Sequence, residues 1–337
     1  MSVVADALCA FLAQAQRSLD IAIYDSALTG GLAAQVGDAL RQADGRGVAV
    51  RIGYYAGPHT SPVVKPPLGS SLAFLQPLGL PIRPITGFRG LMHDKYVIRD
   101  AGSDRATVWT GSTNWTADAW SREENIILQI PSPDLADRYT RDFEEMWQSG
   151  TVENSGDQAG GDATLSYAGR QAPAHVWFSP ATGPEMAHAV GDAIHAAQTR
   201  IVVASPVITD GSILGALRDV TRDGRIPIRG VFDQTQMDEA LQQWGEEQQE
   251  SWKPDAFHSV MSGSTFSGKR STPFAPGSVH DYMHVKIIVV DDLVFTGSYN
   301  FSHSGEENAE NLLRIESGAL ADTCVTYIDR LIQRYAS

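Results

Sequence analysis

The sequence has little of what would tie a chain together covalently or hold it in a membrane. Two cysteines, Cys9 and Cys324, are too few for a disulfide framework or a zinc cluster, which predicts a reducing compartment. No apolar run approaches the ~18 residues that a membrane-spanning helix needs. The first apolar stretch has no positively charged region before it, unlike a secretory signal. We therefore expect a cytoplasmic protein without a transmembrane segment.

Positive charge is also scarce. Lys and Arg together number 26 against 40 Asp and Glu, which gives a formal net charge of −14 and a pI near 5.0. This balance excludes a general polyanion-coating protein, because contacts with a phosphate backbone depend on Lys and Arg. It leaves room for a local basic cleft. The length of 337 residues and the 42% hydrophobic content suit two globular domains or one large duplicated unit.

One short pattern occurs twice, as His-x-Lys-x4-Asp followed by Gly-Ser-x-Asn. Its residues are His93, Lys95, Asp100, Gly111, Ser112 and Asn114 in the first copy, and His284, Lys286, Asp291, Gly297, Ser298 and Asn300 in the second. Strand alternation places the imidazole and the ammonium of each copy on one face. An imidazole can be a nucleophile or a general acid and base near neutral pH, and an ammonium donor beside it suits a phosphate oxygen. The two copies together suit a symmetric cradle for one phosphodiester.

At these residues the sequence resembles the phospholipase D superfamily, whose signature is this pattern, present twice per active site. Glu124 and Glu310 each lie 13 residues after the glycine of their copy, which makes them matching positions. The resemblance implies an α/β fold of two duplicated mixed β-sheet domains, flanked by helices and related by a pseudo-twofold axis. It also implies a reaction without a metal or another cofactor.

The resemblance further implies a two-step phosphoryl transfer. His93 would attack phosphorus and His284 would act as general acid and then base, with the reverse assignment as the alternative. The phosphate oxygens would be bound by side chains and turns of both copies, namely Lys95, Lys286, Asn114, Asn300, Ser112, Ser298, Gly111 and Gly297. The carboxylates expected to orient the imidazoles are Asp100, Asp291, Glu124 and Glu310. For Asp100 and Asp291 a turn-forming role is the alternative.

Alternating helical and apolar stretches in both halves indicate sheets with helices packed on them. We expect one repeat at 1–150, a glycine-rich linker at 151–164 and a second repeat at 165–337 with an insertion at 234–279. An acidic helix is predicted at 237–250 within the insertion. The Ser-, Gly- and Pro-rich loop that follows it either is solvated or walls the substrate cleft. Residues 55–90 are predicted to be loop with one short helix near 71–76.

The sequence says least about the substrate. The compact size, the lack of membrane elements and the segments after each Gly-Ser-x-Asn are closest to the nuclease-like branch, so hydrolysis of a nucleic-acid phosphodiester is the first expectation. The alternative is a phospholipase D that hydrolyses or exchanges a phospholipid head group, with Phe266 and Phe274 in a lipid-contacting loop. A non-catalytic binding module is a third possibility, although both sets of His, Lys and Asn are intact. We expect a monomer with an internal pseudo-dimer.

Overall fold

The computed structural model describes residues 2–58, 70–153, 155–246, 251–275 and 277–336. The strands are β1 (Ser18–Ile23), β2 (Ala49–Pro58), β3 (Ile82–Gly87), β4 (Lys95–Arg99), β5 (Thr107–Gly111), β6 (Ile127–Pro131), β7 (Gly161–Tyr167), β8 (Arg170–Ser179), β9 (Ile201–Ser205), β10 (Ile228–Asp233), β11 (Thr265–Lys269), β12 (Ile287–Val290), β13 (Leu293–Gly297) and β14 (Glu310–Glu316). The helices are α1 (Val3–Ala13), α2 (Gly30–Gly45), α3 (Ser70–Leu75), α4 (Pro133–Ser149), α5 (Gly183–Ala196), α6 (Gly211–Asp223), α7 (Gln234–Glu246), α8 (Trp252–Gly263), α9 (His303–Glu307) and α10 (Gly318–Arg334). A single 3-10 turn, Gln76–Leu78, follows α3. Within these described ranges, no helix has both the length and the apolar content to cross a bilayer.

The strands form two sheets that repeat one topology. The first sheet has the order β3-β2-β1-β4-β5-β6, and the second begins in the same way with β11-β10-β9-β12-β13-β14. In each sheet the first three strands are parallel, and the following three pair antiparallel. The hairpin of β7 and β8 extends the second sheet beyond β14. The duplicated mixed-sheet α/β fold expected from the sequence is confirmed.

Strand alternation divides the apolar residues among three cores. Ile21 of β1 faces the outer helices of the first half, α1 and α2. Val203 of β9 faces those of the second half, α5, α6 and α8. Their neighbours Ala22 and Val202 face the opposite way, into a central core that includes side chains of both sheets and of α4 and α10. Burial on both faces accounts for the nearly continuous apolar runs of these strands. The central core joins the two halves.

Two matching helices close the central core. Helix α4 follows β6 and α10 follows β14, and each begins at a serine that caps its first turn. The hydroxyl of Ser132 accepts a hydrogen bond from the backbone N–H of Leu135 at 3.2 Å, and that of Ser317 accepts one from Leu320 at 3.4 Å. Such a cap stabilises a helix by about 1 kcal/mol. The caps fix where both helices turn back onto the sheets.

The two halves are also joined through their backbones. Met92, directly before the first signature, pairs with Ala309 of the second half, and Met283 pairs with Glu124 of the first half. The two bridges are reciprocal, because each residue before a signature histidine pairs with the hairpin segment of the opposite half. This is the relation that a pseudo-twofold arrangement requires.

Three stretches differ from the sequence expectation. The predicted linker at 151–164 ends inside a strand, since β7 begins at Gly161. In the insertion at 234–279, α7 corresponds to the expected acidic helix, of which residues 247–250 lie outside the described residues. Helix α8 was not expected, and strand β11 lies where the sequence predicts loop. Strand β3 lies within the stretch predicted as loop at 55–90, of which 59–69 lie outside the described residues. Both β3 and β11 are edge strands, which carry weak sequence patterns because they pair on one side alone.

Candidate active site

His93 and His284 lie where the two halves meet. Each follows a bridged methionine and precedes the central antiparallel strand of its sheet, β4 or β12. The backbone N–H of His93 donates to the carbonyl oxygen of Ala309 at 2.9 Å, and that of His284 donates to the carbonyl oxygen of Glu124 at 3.0 Å. Each histidine is therefore positioned by a residue of the opposite half.

A carboxylate from the opposite half anchors the ring of His93. Nδ1 of His93 lies 2.9 Å from Oε2 and 2.8 Å from Oε1 of Glu310, which is fully buried. Asn308 Nδ2 donates to Oε1 of Glu310 at 3.2 Å, and the Ser298 hydroxyl bonds the same carboxyl group. Tyr24 contacts the imidazole edge-on, with ring centroids 4.7 Å apart. Because Nδ1 is engaged, Nε2 is the nitrogen available to a ligand.

The ring of His284 meets an amide in the corresponding place. Its Nδ1 lies 2.9 Å from Oδ1 of Asn125 and 3.5 Å from Oε2 of Glu123. Asn125 Nδ2 donates to Oε2 of Glu123 at 3.0 Å, and the Ser112 hydroxyl donates to Asn125 Oδ1 at 2.6 Å. An amide oxygen can only accept, so Nδ1 of His284 carries the proton and Nε2 is left for proton exchange.

Glu124 does not contact His284, which corrects the prediction that it orients this ring. Its carboxylate accepts hydrogen bonds from Lys269 Nζ and Tyr335 Oη, and Arg334 Nη1 lies 3.4 Å away. Lys269 belongs to β11, so Glu124 fastens the insertion and the C-terminal helix to the first half. Glu124 therefore stabilises the fold and does not orient the imidazole of His284.

A one-residue difference between the two hairpins explains this error. The glycine that ends β5 pairs with a residue sixteen positions later, whereas the glycine that ends β13 pairs fifteen positions later; the pairs are Gly111 with Ile127 and Gly297 with Leu312. Counting from the glycine matches Glu124 with Glu310, but the strand register matches Asn125 with Glu310. A shift of one residue turns a side chain to the other face. Glu124 therefore points away from the histidine.

The two signature lysines are buried beside their histidines. Lys95 Nζ donates to the carbonyl oxygen of His93 and lies 4.9 Å from the centroid of the Tyr24 ring. Lys286 Nζ donates to the carbonyl oxygen of His284 at 2.9 Å. The exposed fraction of Lys95 is 2%, and that of Lys286 is 0%. Both amines thus lie at the centre of the site; burial and the charge of Lys95 lower the pKa of Lys286 well below its usual range. Their contact with phosphate stays a prediction.

Burial shifts the protonation of the whole cluster. Burial, together with the charges of Lys95 and Lys286, lowers the pKa of His93 and of His284 well below the usual range. Burial also lowers the pKa of Lys95 to about 8 and raises the pKa of Glu310 to about 7. The free site therefore favours neutral imidazoles. A bound phosphodiester anion would reverse this preference, because nearby negative charge raises the pKa of an imidazole.

The signature aspartates do not reach the histidines, which corrects their expected orienting role. Asp100 Oδ1 accepts hydrogen bonds from the backbone N–H groups of Gln16 at 2.8 Å and Arg17 at 2.7 Å, between α1 and β1. Asp291 binds the matching loop between α5 and β9 in the same way, with the backbone N–H of Thr199 at 2.7 Å. Both aspartates have positive φ, 57° and 52°. The turn-forming alternative therefore describes both.

The glycines and serines of the Gly-Ser-x-Asn turns support the site from behind. A Cβ on Gly111 would lie 2.2 Å from the carbonyl oxygen of Ile126, and one on Gly297 would lie 2.1 Å from that of Asn311. Ser112 and Ser298 are fully buried and bond the hairpin residues that face the histidines. These four residues pack closely against the hairpins or hydrogen-bond them, and their contact with phosphate stays a prediction.

The two asparagines and the two histidines open onto one large cavity. Its volume is about 940 Å³, and His93, His284, Asn114 and Asn300 all line it. Oδ1 of Asn114 is buried without a hydrogen-bond partner among the described residues, so it is free to meet a ligand donor. Helix α7 and the described loop residues before His284 form one wall, the latter being Thr272, Phe274, Ala275, Gly277, Ser278 and His280. Of the two alternatives for that loop, the structure therefore favours the cleft wall.

Sequence reasoning missed several residues at the site. Tyr24 packs on His93, Glu123 and Asn125 contact His284, and Asn308 donates to Glu310. The signal for the last three was present, because both hairpins carry Glu and Asn close together, 8 to 11 positions after the last Asn of the signature turn. In the first hairpin, counting thirteen residues from Gly111 selected Glu124 instead of Asn125. Tyr24 follows β1 and has no motif of its own.

A group of three or more side chains arranged to hold a metal ion is not present among the described residues. The two imidazoles instead have their Nδ1 atoms bound to side chains of the opposite half. What the arrangement can do with its own residues is bind an anion between two buried ammonium groups and exchange protons through two Nε2 atoms.

The doubled fold, with a histidine of each half lining one cavity and a buried lysine beside each histidine, defines a phosphodiesterase-type enzyme. The family described as "Cardiolipin synthase, PLD-like domain" matches residues 8–147 and 190–332, and the chain therefore belongs to the phospholipase D superfamily. No curated protein matches the chain significantly.

Solved structures match the chain at low sequence identity, and the first of those named below shares its fold. Phosphatidylserine synthase from Haemophilus influenzae Rd KW20 is 12% identical, with a TM-score of 0.68 over 99% of this chain and 84% of that one. NucT from Helicobacter pylori is 18% identical over 48% of this chain and 96% of that one, with a TM-score of 0.38. Nuc from Salmonella typhimurium, described as a phospholipase D family member, is 24% identical over 42% of this chain and 86% of that one, with a TM-score of 0.34.

Proposed function

We propose that this enzyme hydrolyses or exchanges the head group of a phospholipid through a covalent phosphohistidine. The family description names cardiolipin synthase, and one solved structure that matches over nearly the whole chain is a phosphatidylserine synthase. Both names belong to proteins that act on phospholipids, so they support the lipid alternative more than the nucleic-acid expectation.

The charge of the cavity wall carries this proposal. Among the described residues that line the cavity, Lys253 is the one Lys or Arg, against the carboxylates of Asp25, Asp118, Glu123 and Glu239. A nucleic-acid strand presents a phosphate at every nucleotide and is bound mainly through Lys and Arg. A wall of this sign would repel the flanking phosphates. A phospholipid presents one phosphodiester, which the two buried lysines suffice to meet.

Apolar side chains at the cavity support an amphiphilic substrate. Phe274 lines the cavity and is 55% exposed, and Val279 in the same loop is 38% exposed. Trp244 and Ala240 of α7 line the cavity as well. Exposed apolar groups at a ligand opening often mark contact with an apolar partner. The loop before His284 would meet the lipid surface while the head group enters the cavity.

The proposed reaction uses the two Nε2 atoms in turn. The lone pair on Nε2 of His93 forms a bond to phosphorus while the bond from phosphorus to the leaving oxygen breaks, and that oxygen takes a proton from Nε2 of His284. Water or a second alcohol then gives its proton to His284, its oxygen bonds phosphorus, and the bond from phosphorus to His93 breaks. Lys95, Lys286 and the Nδ2 group of Asn114 would donate to the non-bridging oxygens during both steps.

A turnover assay in chelator distinguishes the substrates. Purified enzyme is incubated with phosphatidylcholine, phosphatidylethanolamine or phosphatidylglycerol vesicles, with and without added ethanol, and in parallel with single-stranded DNA and RNA. We expect release of a head group, and formation of phosphatidylethanol when ethanol is present. Cleavage of DNA or RNA with intact lipid would overturn the proposal and support the nuclease expectation.

Matched histidine variants separate this enzyme from a contaminant. His93→Asn and His284→Asn should both abolish the lipid activity, since the two rings act as a unit. His195→Asn is the control, because His195 is half-exposed on α5 and, within the described part of the chain, pairs with Asp219 of the neighbouring α6. Activity that survives in both active-site variants would contradict the assignment.

A further inference from the structure

The two histidines are supported by the same chemical groups in opposite order. The reciprocal bridges equate Glu124 with Ala309. Glu123 therefore corresponds to Asn308, and Asn125 corresponds to Glu310. In the second half the carboxyl group contacts the histidine and the amide supports the carboxyl group; in the first half the amide contacts the histidine and the carboxyl group supports the amide.

The distances show that both arrangements are complete. Glu310 lies 2.8–2.9 Å from Nδ1 of His93, and Asn308 donates to Glu310 at 3.2 Å. On the other side Asn125 lies 2.9 Å from Nδ1 of His284, and its Nδ2 donates to Glu123 at 3.0 Å. Each imidazole thus has one carboxyl group and one amide within reach, and only their order differs.

We propose that Glu123 and Asn125 form a positioning pair that makes His284 the proton-exchanging histidine and leaves the covalent role to His93. Glu123 acts through the Asn125 amide. It is a positioning residue outside the doubled signature, and its side chain is only 4% exposed. The inference rests on the proposed function for the identity of the reaction, but the difference between the two rings is a property of the free enzyme.

The physical reason lies in the charge that each ring must carry. A ring phosphorylated on Nε2 keeps its proton on Nδ1 and is positively charged for the life of the intermediate. A carboxylate in direct contact, as Glu310 is with His93, stabilises that charge. A ring that gives and regains a proton at Nε2 needs its Nδ1 proton fixed but its charge stabilised less strongly. An amide oxygen in contact with a carboxyl group behind it meets this need.

The neighbouring charges act on both rings, so they do not create the difference. Lys286, Lys95 and His93 all face His284, and their charges lower its pKa. Lys95 and Lys286 face His93 in the same way. Glu123 itself is faced by Lys286, Lys269 and Asp118, and burial raises its pKa to about 7. What distinguishes the two imidazoles is therefore the order of carboxyl group and amide, together with a backbone hydrogen bond from His284 to Ser112 that raises the pKa of His284.

Two variants move the carboxyl group without changing the size of the side chains. Glu123→Gln removes it, and the double variant Glu123→Gln with Asn125→Asp places it in direct contact with His284, as in the second half. The full chain is labelled with ¹⁵N-histidine, and the His284 signals are assigned by their loss in His284→Asn. We expect the pKa of His284 to fall in Glu123→Gln and to rise by at least about one unit in the double variant.

The control is Glu124→Gln, which removes the neighbouring carboxyl group that faces Lys269. It should leave the titration of His284 unchanged, although it can lower thermal stability. A titration of His284 that is the same in wild type, Glu123→Gln and the double variant would overturn the proposal. If a variant fails to fold, the tautomer of His284 in the wild type decides: a proton on Nε2 with a free Nδ1 lone pair would refute the pairing with Asn125.

A second readout tests the consequence for catalysis. The pH profile of kcat is measured on an activated aryl phosphodiester, which needs no lipid surface. One limb of the profile should move with the His284 pKa, to lower pH in Glu123→Gln and to higher pH in the double variant. A lower kcat with both limbs of the pH profile unchanged would indicate that Glu123 and Asn125 only pack against His284. Because the titration needs no substrate, a wrong lipid assignment would leave its outcome intact.

Discussion

Replacing Asp100 by alanine is expected to destabilise the fold and to leave catalysis by the folded enzyme intact. Its Oδ1 atom accepts hydrogen bonds from the backbone N–H groups of Gln16, Arg17 and Ser18 at 2.8, 2.7 and 3.4 Å. Leaving the two shorter bonds unmade costs about 1–3 kcal/mol each. Alanine at a φ of 57° adds about 1–2 kcal/mol of strain. Because these donors are only part-buried, we expect about 3–5 kcal/mol in total.

The assay compares unfolding and turnover in the same preparations. Urea titration gives the free energy of unfolding, and a thermal melt should fall by roughly 10 °C for a chain of this size. Turnover is measured well below the melting midpoint and divided by the folded fraction. Asp100→Asn is the matched variant, since it keeps an oxygen acceptor and tolerates positive φ, and it should lose only about 1 kcal/mol.

The turnover per folded molecule decides between the two roles. We expect both variants to stay within a factor of about three of wild type, because the Asp100 carboxylate binds backbone N–H groups where α1 leads into β1. A loss of kcat by a factor of 100 or more, with an unchanged melting midpoint, would refute the reasoning. Asp100 would then act on His93, as the family resemblance implies.

Four further predictions follow from the site. His93→Asn and His284→Asn should each lower turnover by at least about 10³-fold, as measured by head-group release, whereas equal activity in either variant would exclude a two-histidine mechanism. The KM for substrate should rise above pH 8, because burial lowers the pKa of Lys95 to about 8 and the ammonium loses its charge there; a KM constant to pH 10 would count against phosphate binding by Lys95. Phe274→Ser should lower activity on vesicles but spare a short-chain soluble phosphodiester, while equal loss on both would assign Phe274 to the cavity alone. Activity should persist after dialysis against EDTA, and a loss restored by a divalent cation would show that the reaction needs a metal.

Much of the site could be predicted because the signature occurs twice. His93 and Lys95 recur as His284 and Lys286, and this recurrence indicated one shared site before any contact was known. It could not indicate which carboxylate faces which ring. That depends on strand register, and a single extra residue between Gly111 and its β6 partner turns Glu124 away from the site.

The signature aspartates show a different limit. Asp100 and Asp291 belong to the motif as firmly as the histidines do, yet their carboxylates bind mainly backbone groups in loops about 90 positions away, with the Thr199 hydroxyl as a side-chain donor to Asp291. Backbone donors leave no mark on the sequence. The same holds for β11, whose composition indicates loop and whose strand form comes from pairing with β10. Local composition predicts local preference, whereas these features depend on distant neighbours.

The reciprocal bridges between the halves have a consequence for folding. Met92 pairs with Ala309 and Met283 pairs with Glu124, so the segments that hold both histidines close only after chain separations of more than 150 residues have been bridged. Contacts of such long range form late, because the entropy of closing the chain must be overcome first. During refolding, helical signal should therefore return before turnover does. A nascent or partly folded chain would hold its imidazoles apart, and no reactive nucleophile would exist until both halves had docked.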